Sequence, residues 1–395
     1  MLAFDRELKS RLDAIREQGL HRELRCIESP QGTRIQIGGR TLLNFSSNDY
    51  LGLANHPALK EAAIKATEKF GAGAGASRLI CGSLAPFNGL EEVLAAFKGT
   101  EAALSFSTGY AAALGTITAL LGPEDVIITD KLVHACIVDA ARLSRAQLRV
   151  FAHNDLNDLE DKLRWANKQS AAGASDRKSQ TLIVTESIFS MDGDASPLRE
   201  IVALKDQYGA WLMVDEAHAT GLYGPRLGGR AQALGVSDRI EIQMGTLGKA
   251  LGASGGYICG LRPLVELLVN RARSFIFSTA PVPATAAAAS AALHLVQSKE
   301  GQQRNEQLWA RVAEFQSATG QPQAGIPSAI IPVILGEETK ALALADELRA
   351  RDIFVPAIRY PTVARGAARL RVTLTAAHKS DDVIELVRNL EELKR

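Results

Sequence analysis

Between about residues 100 and 260 the chain alternates short apolar runs with longer stretches of helical period. The runs are "DVIIT", "LRVFA", "TLIVTE", "AWLMVDEAH", "IEIQMG" and "GGYIC". Each is too short for a helix and nearly continuous, as strands buried on both faces are. "PLREIVALKDQYG" lies between two of them, with apolar residues at helical spacing and a glycine stop. Strands alternating with helices predict a mostly parallel sheet covered on both sides, the α/β class.

The flanks read differently. Residues 4–25 carry the amphipathic pattern of a helix, and "RIQIGGRTLLNFSS" reads as two strands about a Gly-Gly turn. "HPALKEAAIKATEKF" predicts a helix closed by Gly71, and "FNGLEEVLAAFKG" another. Between them "GAGAGASRLICGS" is too glycine-rich for regular structure. "ATAAAASAALHLV" reads as a buried helix. Beyond it, "AIIPVIL", "FVPAIRY" and "RLRVTLT" predict strands, with "TKALALADELRARD" and "SDDVIELVRNLEELK" as helices. The pattern divides into an N-terminal helix with short strands (1–45), a large domain (46–285) and a small C-terminal α/β domain (286–395).

Composition narrows the function classes. The 395 residues are 46% hydrophobic and 23% charged, with a formal net charge of +1, so no global field favours nucleic acid or an acidic membrane. Cys26, Cys81, Cys136 and Cys259 form no C-x-x-C pair, which argues against a zinc site or a disulfide framework and fits a reducing cytoplasm. The charged N-terminus has no apolar core of a signal peptide, and no run reaches the roughly 18 apolar residues of a membrane span.

Chemistry concentrates at strand ends, where open parallel sheets bind ligands. "DVIIT" is followed by Asp130 and His134; "TLIVTE" by Ser187 and Ser190; "WLMV" by Asp215, Glu216 and His218; "IEIQMG" by Thr246 and Lys249. Lys249 lies in "MGTLGKALGASGG", which looks like half of a phosphate loop. That motif needs Gly at position 243 and Ser or Thr after the lysine, whereas the chain has Gln243 and Ala250. "GAGAGASR" follows a helix, not a strand, and fails as a dinucleotide fingerprint. A strand-end Asp215 and a lysine 34 positions later suit a different cofactor, pyridoxal phosphate, which needs a lysine for covalent attachment and an acid for its ring nitrogen. Ser107, Thr108, Gly109 and Tyr110 open a helix whose N-terminus can take the phosphate, and His134 can cover the ring.

The motifs "NFSSNDYLGL", "GTEAALSFSTGY", "DKLVHACIVDA", "TESIFSMDGD", "LMVDEAHATGLYG", "GTLGKALGASGG", "FIFSTAPVP" and "RLRVTLTAAH" extend from residue 44 to 378. In them the chain resembles the α-oxoamine synthases, pyridoxal-phosphate enzymes of fold type I that condense an amino acid with an acyl thioester. The resemblance implies a large domain with a mostly parallel seven-stranded sheet between helices, a smaller C-terminal α/β domain and a homodimer.

The resemblance also implies roles. Lys249 holds the cofactor and acts as base, Asp215 pairs with the ring nitrogen, and His134 stacks on the ring. His218 and Ser190 serve the ring's phenolic oxygen region. Thr246 with the Gly109 and Tyr110 amides holds the phosphate, and Ser278 and Thr279 reach the neighbouring subunit's phosphate. Arg371 binds the amino acid carboxylate, Asn48 lies near the reacting groups, and Arg22 and Thr362 contact substrate, Arg22 at the acyl arm. On the residues alone, Arg371 stands near Arg365 and Arg369 in the sequence, and Ser278 and Thr279 would also suit a helix cap. One departure is Ala113, where many relatives carry Asn. "RVFAHND" and "AIRYPTVARGAARLRVTLTAAH" are most similar to the branch that joins L-alanine to a pimeloyl thioester, on CoA or a carrier protein. Condensation of glycine with acetyl-CoA, or a non-catalytic pyridoxal-phosphate-binding role, stays open at this point.

Overall fold

In the computed structural model, residues 2–172, 179–320 and 325–394 are described. Helix α1 (Leu2–Glu17) buries none of its side chains. It ends eight residues short of the predicted span: Gly19 takes a left-handed conformation, and the following residues run extended to the first strand. Strands β1 (Arg34–Ile37) and β2 (Arg40–Asn44) form the expected hairpin, with Gly38 and Gly39 both at positive φ as a two-residue turn of matching twist requires. Helices α2 (Pro57–Phe70) and α3 (Ala85–Lys98) follow, α2 closed by Gly71. The glycine-rich segment between them is not wholly irregular: Arg78–Gly82 winds into one π-helical turn.

The main sheet contains β3 (Ala102–Phe106), β4 (Val126–Asp130), β5 (Gln147–Phe151), β6 (Thr181–Glu186), β7 (Trp211–Asp215), β8 (Ile242–Thr246) and β9 (Gly256–Gly260). Their spatial order is β3-β9-β8-β7-β6-β4-β5, and all pairs are parallel except the two made by β9. Six of these strands are the six apolar runs. The seventh, β3, is "AALSF", whose alanines and serine dilute the strand signal of Leu104 and Phe106.

Side chains alternate across the sheet as the pleat demands. Ile127, Leu182, Val184 and Met213 pack with α4 (Gly109–Leu120) and α5 (Ala135–Ser144). Val126, Ile128, Ile183, Leu212 and Val214 pack with α6 (Leu156–Ala172) and α7 (Leu198–Tyr208) on the other face. Short α8 (Arg230–Leu234), α9 (Arg262–Arg271) and α10 (Arg273–Ile276) cover the remainder. Helix α11 (Pro283–Val296), the alanine-rich segment, is buried as expected, and its small side chains let it pack closely on α2 and α3. Long α12 (Lys299–Thr319) follows.

Two small sheets complete the fold. Strand β10 (Ile330–Gly336) pairs with β13 (Ala368–Thr373), which pairs with β12 (Ala357–Ile358). β11 (Ile353–Phe354) runs parallel to β2, joining the first and last parts of the chain. The predicted strand "FVPAIRY" is thus two fragments, broken where Pro356 has no N–H to give a ladder. Helices α13 (Glu338–Ala350) and α14 (Ser380–Lys394) close the chain. Among the described residues no helix is long and apolar enough to cross a membrane.

Candidate active site

From β4 the chain passes to β5 on one side and to β6 on the other, so the strand order reverses between β4 and β6. Ligands in such sheets bind beyond the carboxyl ends at this point. His134 follows β4, Glu186 ends β6, Asp215 ends β7 and Thr246 ends β8. Lys249 sits on the loop joining β8 to β9. That loop is closed by hydrogen bonds from Leu247 N to Gly255 O (2.9 Å), Ala253 N to Leu247 O (2.9 Å) and Gly252 N to Lys249 O (2.8 Å). Gly252 is left-handed, and a Cβ there would come within 2.5 Å of Leu53 and Ala54 backbone atoms.

Lys249 Nζ lies 2.7 Å from His218 Nε2, and the other ring nitrogen of His218 lies 2.6 Å from Tyr50 Oη. Burial pushes the lysine's pKa down; Asp215 and Glu186 attract its charge and only partly offset this, while Arg371 repels it. Burial also drives His218 well below the ordinary imidazole value, with help from Lys249 and Arg371, so it is neutral and pairs with the amine without competing for charge. Asp215 is buried, and Oδ1 accepts the Ala217 N–H at 2.8 Å. Its pKa is raised by burial, against the pull of Lys249.

His134 is the N-cap of α5: Nδ1 accepts the Cys136 N–H at 3.2 Å and lies 3.1 Å from Cys136 Sγ, leaving the exposed side chain at the rim. Partial loss of water around the ring lowers its pKa, against the pull of Asp215. The His134 N–H donates to Glu186 Oε1 at 2.6 Å. Glu186 is a site residue that the sequence reading passed over. Burial, with the neighbouring Asp215 adding to it, raises its pKa to about 8 against the pull of Lys249. Its signal was available: it ends a buried strand beside Asp215, with which it is in register.

Arg371 is buried on β13. Its Nε donates to Ser190 O at 2.6 Å, and Nη1 donates to Asn48 Oδ1 and Thr373 Oγ1, both at 3.0 Å. The Tyr50 hydroxyl also lies against the guanidinium; burial raises its pKa, and the charge and hydrogen bond of Arg371 pull it down against that. Arg369, two positions earlier on the same face, is instead paired with Asp192. The structure therefore brings Asn48, Ser190 and Arg371 to one point, against the lysine cluster.

The remaining candidates lie further out. Arg22 and Thr362 line a cavity of about 630 Å³ that also reaches His134 and Ser190. Both border a second cavity of about 500 Å³ beneath His21 and Arg359. Ser278 and Thr279 line a separate narrow cleft with Arg78 and Ser107, not the cavity of their own Lys249. Tyr110 turns its hydroxyl to Asp139 at 2.5 Å, leaving its backbone N–H at the start of α4. Ala113 is fully buried inside α4. Asp130 and Glu216, though at strand ends, hold structure: Asp130 bonds His153, and Glu216 pairs with Lys98.

The donor set fits pyridoxal phosphate. A buried carboxylate, a weakly basic lysine and an imidazole at the rim are gathered beside the N-terminus of α4, whose first N–H groups lack intrahelical partners. Thr246 Oγ1 is buried without a hydrogen-bond partner beside that terminus. A Cβ at Gly109 would meet Thr246 Cγ2 at 2.6 Å, so a side chain there would close the cradle.

Comparison with known proteins agrees. Residues 40–390 match the aminotransferase class I and II family. The chain is 50% identical over 375 residues to the 8-amino-7-oxononanoate synthase of Anaeromyxobacter sp. (strain K), covering 94% of this chain and 91% of that protein. A lysine-to-alanine variant of serine palmitoyltransferase from S. paucimobilis, solved with a bound pyridoxal-phosphate–myriocin aldimine, is 27% identical with a TM-score of 0.89, covering 100% of this chain and 98% of that one. The 8-amino-7-oxononanoate synthase of Francisella tularensis is 28% identical with a TM-score of 0.73, covering 89% and 98%.

Proposed function

The chain belongs to the aminotransferase class I and II family and, within it, to the α-oxoamine synthases; from that premise we propose that it condenses L-alanine with a pimeloyl thioester, releasing CO2 and the free thiol carrier, to give 8-amino-7-oxononanoate. It is a pyridoxal-phosphate-dependent, decarboxylating acyltransferase. The observation that carries the residue assignments is the weakly basic Lys249 amine, set between Asp215, His218 and Arg371.

Pyridoxal phosphate, when bound, supplies a carbonyl that bonds to amines and a ring that accepts electrons. Lys249 is the residue that holds it, and Asp215 is the acid for the ring nitrogen. Thr246 and the Gly109 and Tyr110 amides receive the phosphate, and His134 covers the ring face. His218 and Ser190 flank the ring oxygen. The Arg371 guanidinium takes the alanine carboxylate, with Asn48 and the Ser190 carbonyl fixing its plane. Lys249 removes the Cα proton, and burial, which lowers its pKa, favours the neutral amine that this requires. The α-carbon then bonds to the thioester carbonyl carbon, the carbon–sulfur bond breaks and the thiolate takes a proton from solvent. The carboxylate of the β-keto acid departs as CO2, and Lys249 returns its proton to the α-carbon. Arg22 and Thr362 border the cavity that takes the acyl arm. A second copy of the chain supplies Ser278 and Thr279 to the phosphate, in keeping with their place outside their own cavity.

The test is a panel of L-alanine, glycine and L-serine against pimeloyl, acetyl and palmitoyl thioesters, following thiol release and product mass. Alanine with pimeloyl thioester is expected to dominate; a preference for glycine with acetyl-CoA would overturn the assignment.

A further inference from the structure

The segment "RVFAHND" contributes nothing to the chemistry above, yet its His153 and Asn154 are bonded to Asp194, on the loop that carries Ser190. His153 Nδ1 lies 2.9 Å from Asp130 Oδ1, at the end of β4, and Nε2 lies 2.7 Å from Asp194 Oδ2. Asn154, left-handed with φ +57°, donates its side-chain amide to the same Asp194 oxygen (3.0 Å) and to Ala195 O (3.2 Å). Asparagine is among the few residues that accept this backbone conformation readily. The His153 ring also meets Phe189 edge-on, at 4.4 Å.

Asp194 closes a small ring of chain. Phe189 N bonds to Asp194 O and Gly193 N to Phe189 O, both at 2.9 Å. Gly193 is wedged against β10, where a Cβ would stand 2.2 Å from Ile330 O. Inside this ring is Ser190, whose carbonyl fixes Arg371 Nε, and Asp192, which pairs with Arg369. The loop is therefore pinned on one side by the main sheet through His153 and on the other by β13.

We propose that His153 is a positioning residue for substrate binding: by bridging Asp130 and Asp194 it fixes the 189–194 ring, which in turn sets the guanidinium of Arg371. Both ring nitrogens must carry protons to donate to two carboxylates at once, so the bridge is an imidazolium. Burial opposes that charge, but hydrogen bonds to Asp130 and Asp194 outweigh it and hold the pKa at about 10. The bridge does not touch Lys249, Asp215 or His218; it reaches the amino acid through the Ser190 carbonyl and Arg371, and Ser190 beside the ring oxygen is its one link to the cofactor.

This inference rests on the assignment of Arg371 to the amino acid carboxylate. The experiment is a titration of the pyridoxal-phosphate-loaded protein with L-alanine, read by visible absorbance, together with the cofactor's own dissociation constant. His153→Gln and Asp194→Asn are each expected to weaken alanine about tenfold or more. The double variant should be no worse than either single, because all remove one bridge. Cofactor affinity should stay within about twofold. Unchanged alanine affinity in the folded variants, or cofactor affinity falling in parallel, would overturn the proposal. If His153→Gln does not fold, Asp194→Asn, which preserves shape, decides alone. Absence of any spectral change with alanine in the unmodified protein sinks the underlying assignment and this inference with it.

Discussion

Lys98 lies at the end of α3 and Lys249 on the β8–β9 loop, and both amines are withdrawn from water. Burial alone disfavours the charge on each. Lys98 is in direct contact with Glu216 and donates to Gly228 O at 2.5 Å, and that carboxylate raises its pKa above the ordinary lysine value. Around Lys249 no carboxylate lies within ion-pair distance among the described residues. Its neighbour is a neutral imidazole, and its pKa falls. The acids that separate the two cases are consecutive, Asp215 and Glu216. Asp215 ends β7 within the site, and Glu216 reaches away to Lys98 and the Ala231 N–H. One lysine is a structural cation and the other a reactive amine because of contact, not depth.

The sharpest way to break this contrast is to remove each amine. Lys249→Ala is expected to lower kcat by about 10³-fold or more and abolish the visible band of the bound cofactor, with little change in thermal midpoint. A variant that still turned over would sink the mechanism. Lys98→Met should do the reverse. It leaves Glu216 charged and unpaired in the core, costing about 3–5 kcal/mol in urea unfolding. Adding Glu216→Gln should recover most of that loss, and an additive double variant would show that the pair is not coupled.

The same principle extends to histidines. His378 stacks on Phe45 and, with no carboxylate in contact, is buried with its pKa down at about 4. Its folded value lies below the unfolded 6.5, so the unfolded chain binds the proton first. Its contribution is complete above about pH 6.5 and is lost as pH falls towards 4, roughly 3 kcal/mol in all. His378→Asn should flatten stability between pH 7 and pH 4, measured by urea midpoints. His153, bridged by two acids, has the opposite sign: its contribution is complete below about pH 6.5 and is lost as pH rises through about 10. The smallest effect concerns Thr246, whose unpartnered hydroxyl serves no fold contact. Thr246→Val should leave the thermal midpoint nearly unchanged and weaken pyridoxal phosphate about tenfold. A loss of stability without a loss of affinity would place that hydroxyl with the structural groups.

Much of this was legible in the chain itself. Continuous apolar runs marked six buried strands, and the polar residues just beyond them located the site, because a parallel sheet puts all such ends on one edge. What escaped has physical causes. In β3 only Leu104 and Phe106 are large, and the alanines and serine between and before them dilute the strand preference that a longer apolar run would show. Lys98 looks like any basic residue in the last turn of a helix; its partner is 118 positions away, and no local pattern encodes that. Glu186 differs from a solvent-facing glutamate only through its register with Asp215. Helix α1 was overextended because amphipathic spacing continues past Gly19, while the backbone turns there.

The antiparallel strand β9 has a consequence for how the chain assembles. Phe106 of β3 and Thr246 of β8 both stand opposite Gly256, so β9 alone brings the start of α4 level with the lysine loop. Strands β4 to β8 can zip together in the order they emerge during synthesis, but β3 has no neighbour until residues 256–260 exist. The phosphate end of the site is thus among the first parts made and among the last to be seated. A growing chain shorter than about that length is a sheet with one wall of its active site still unhung.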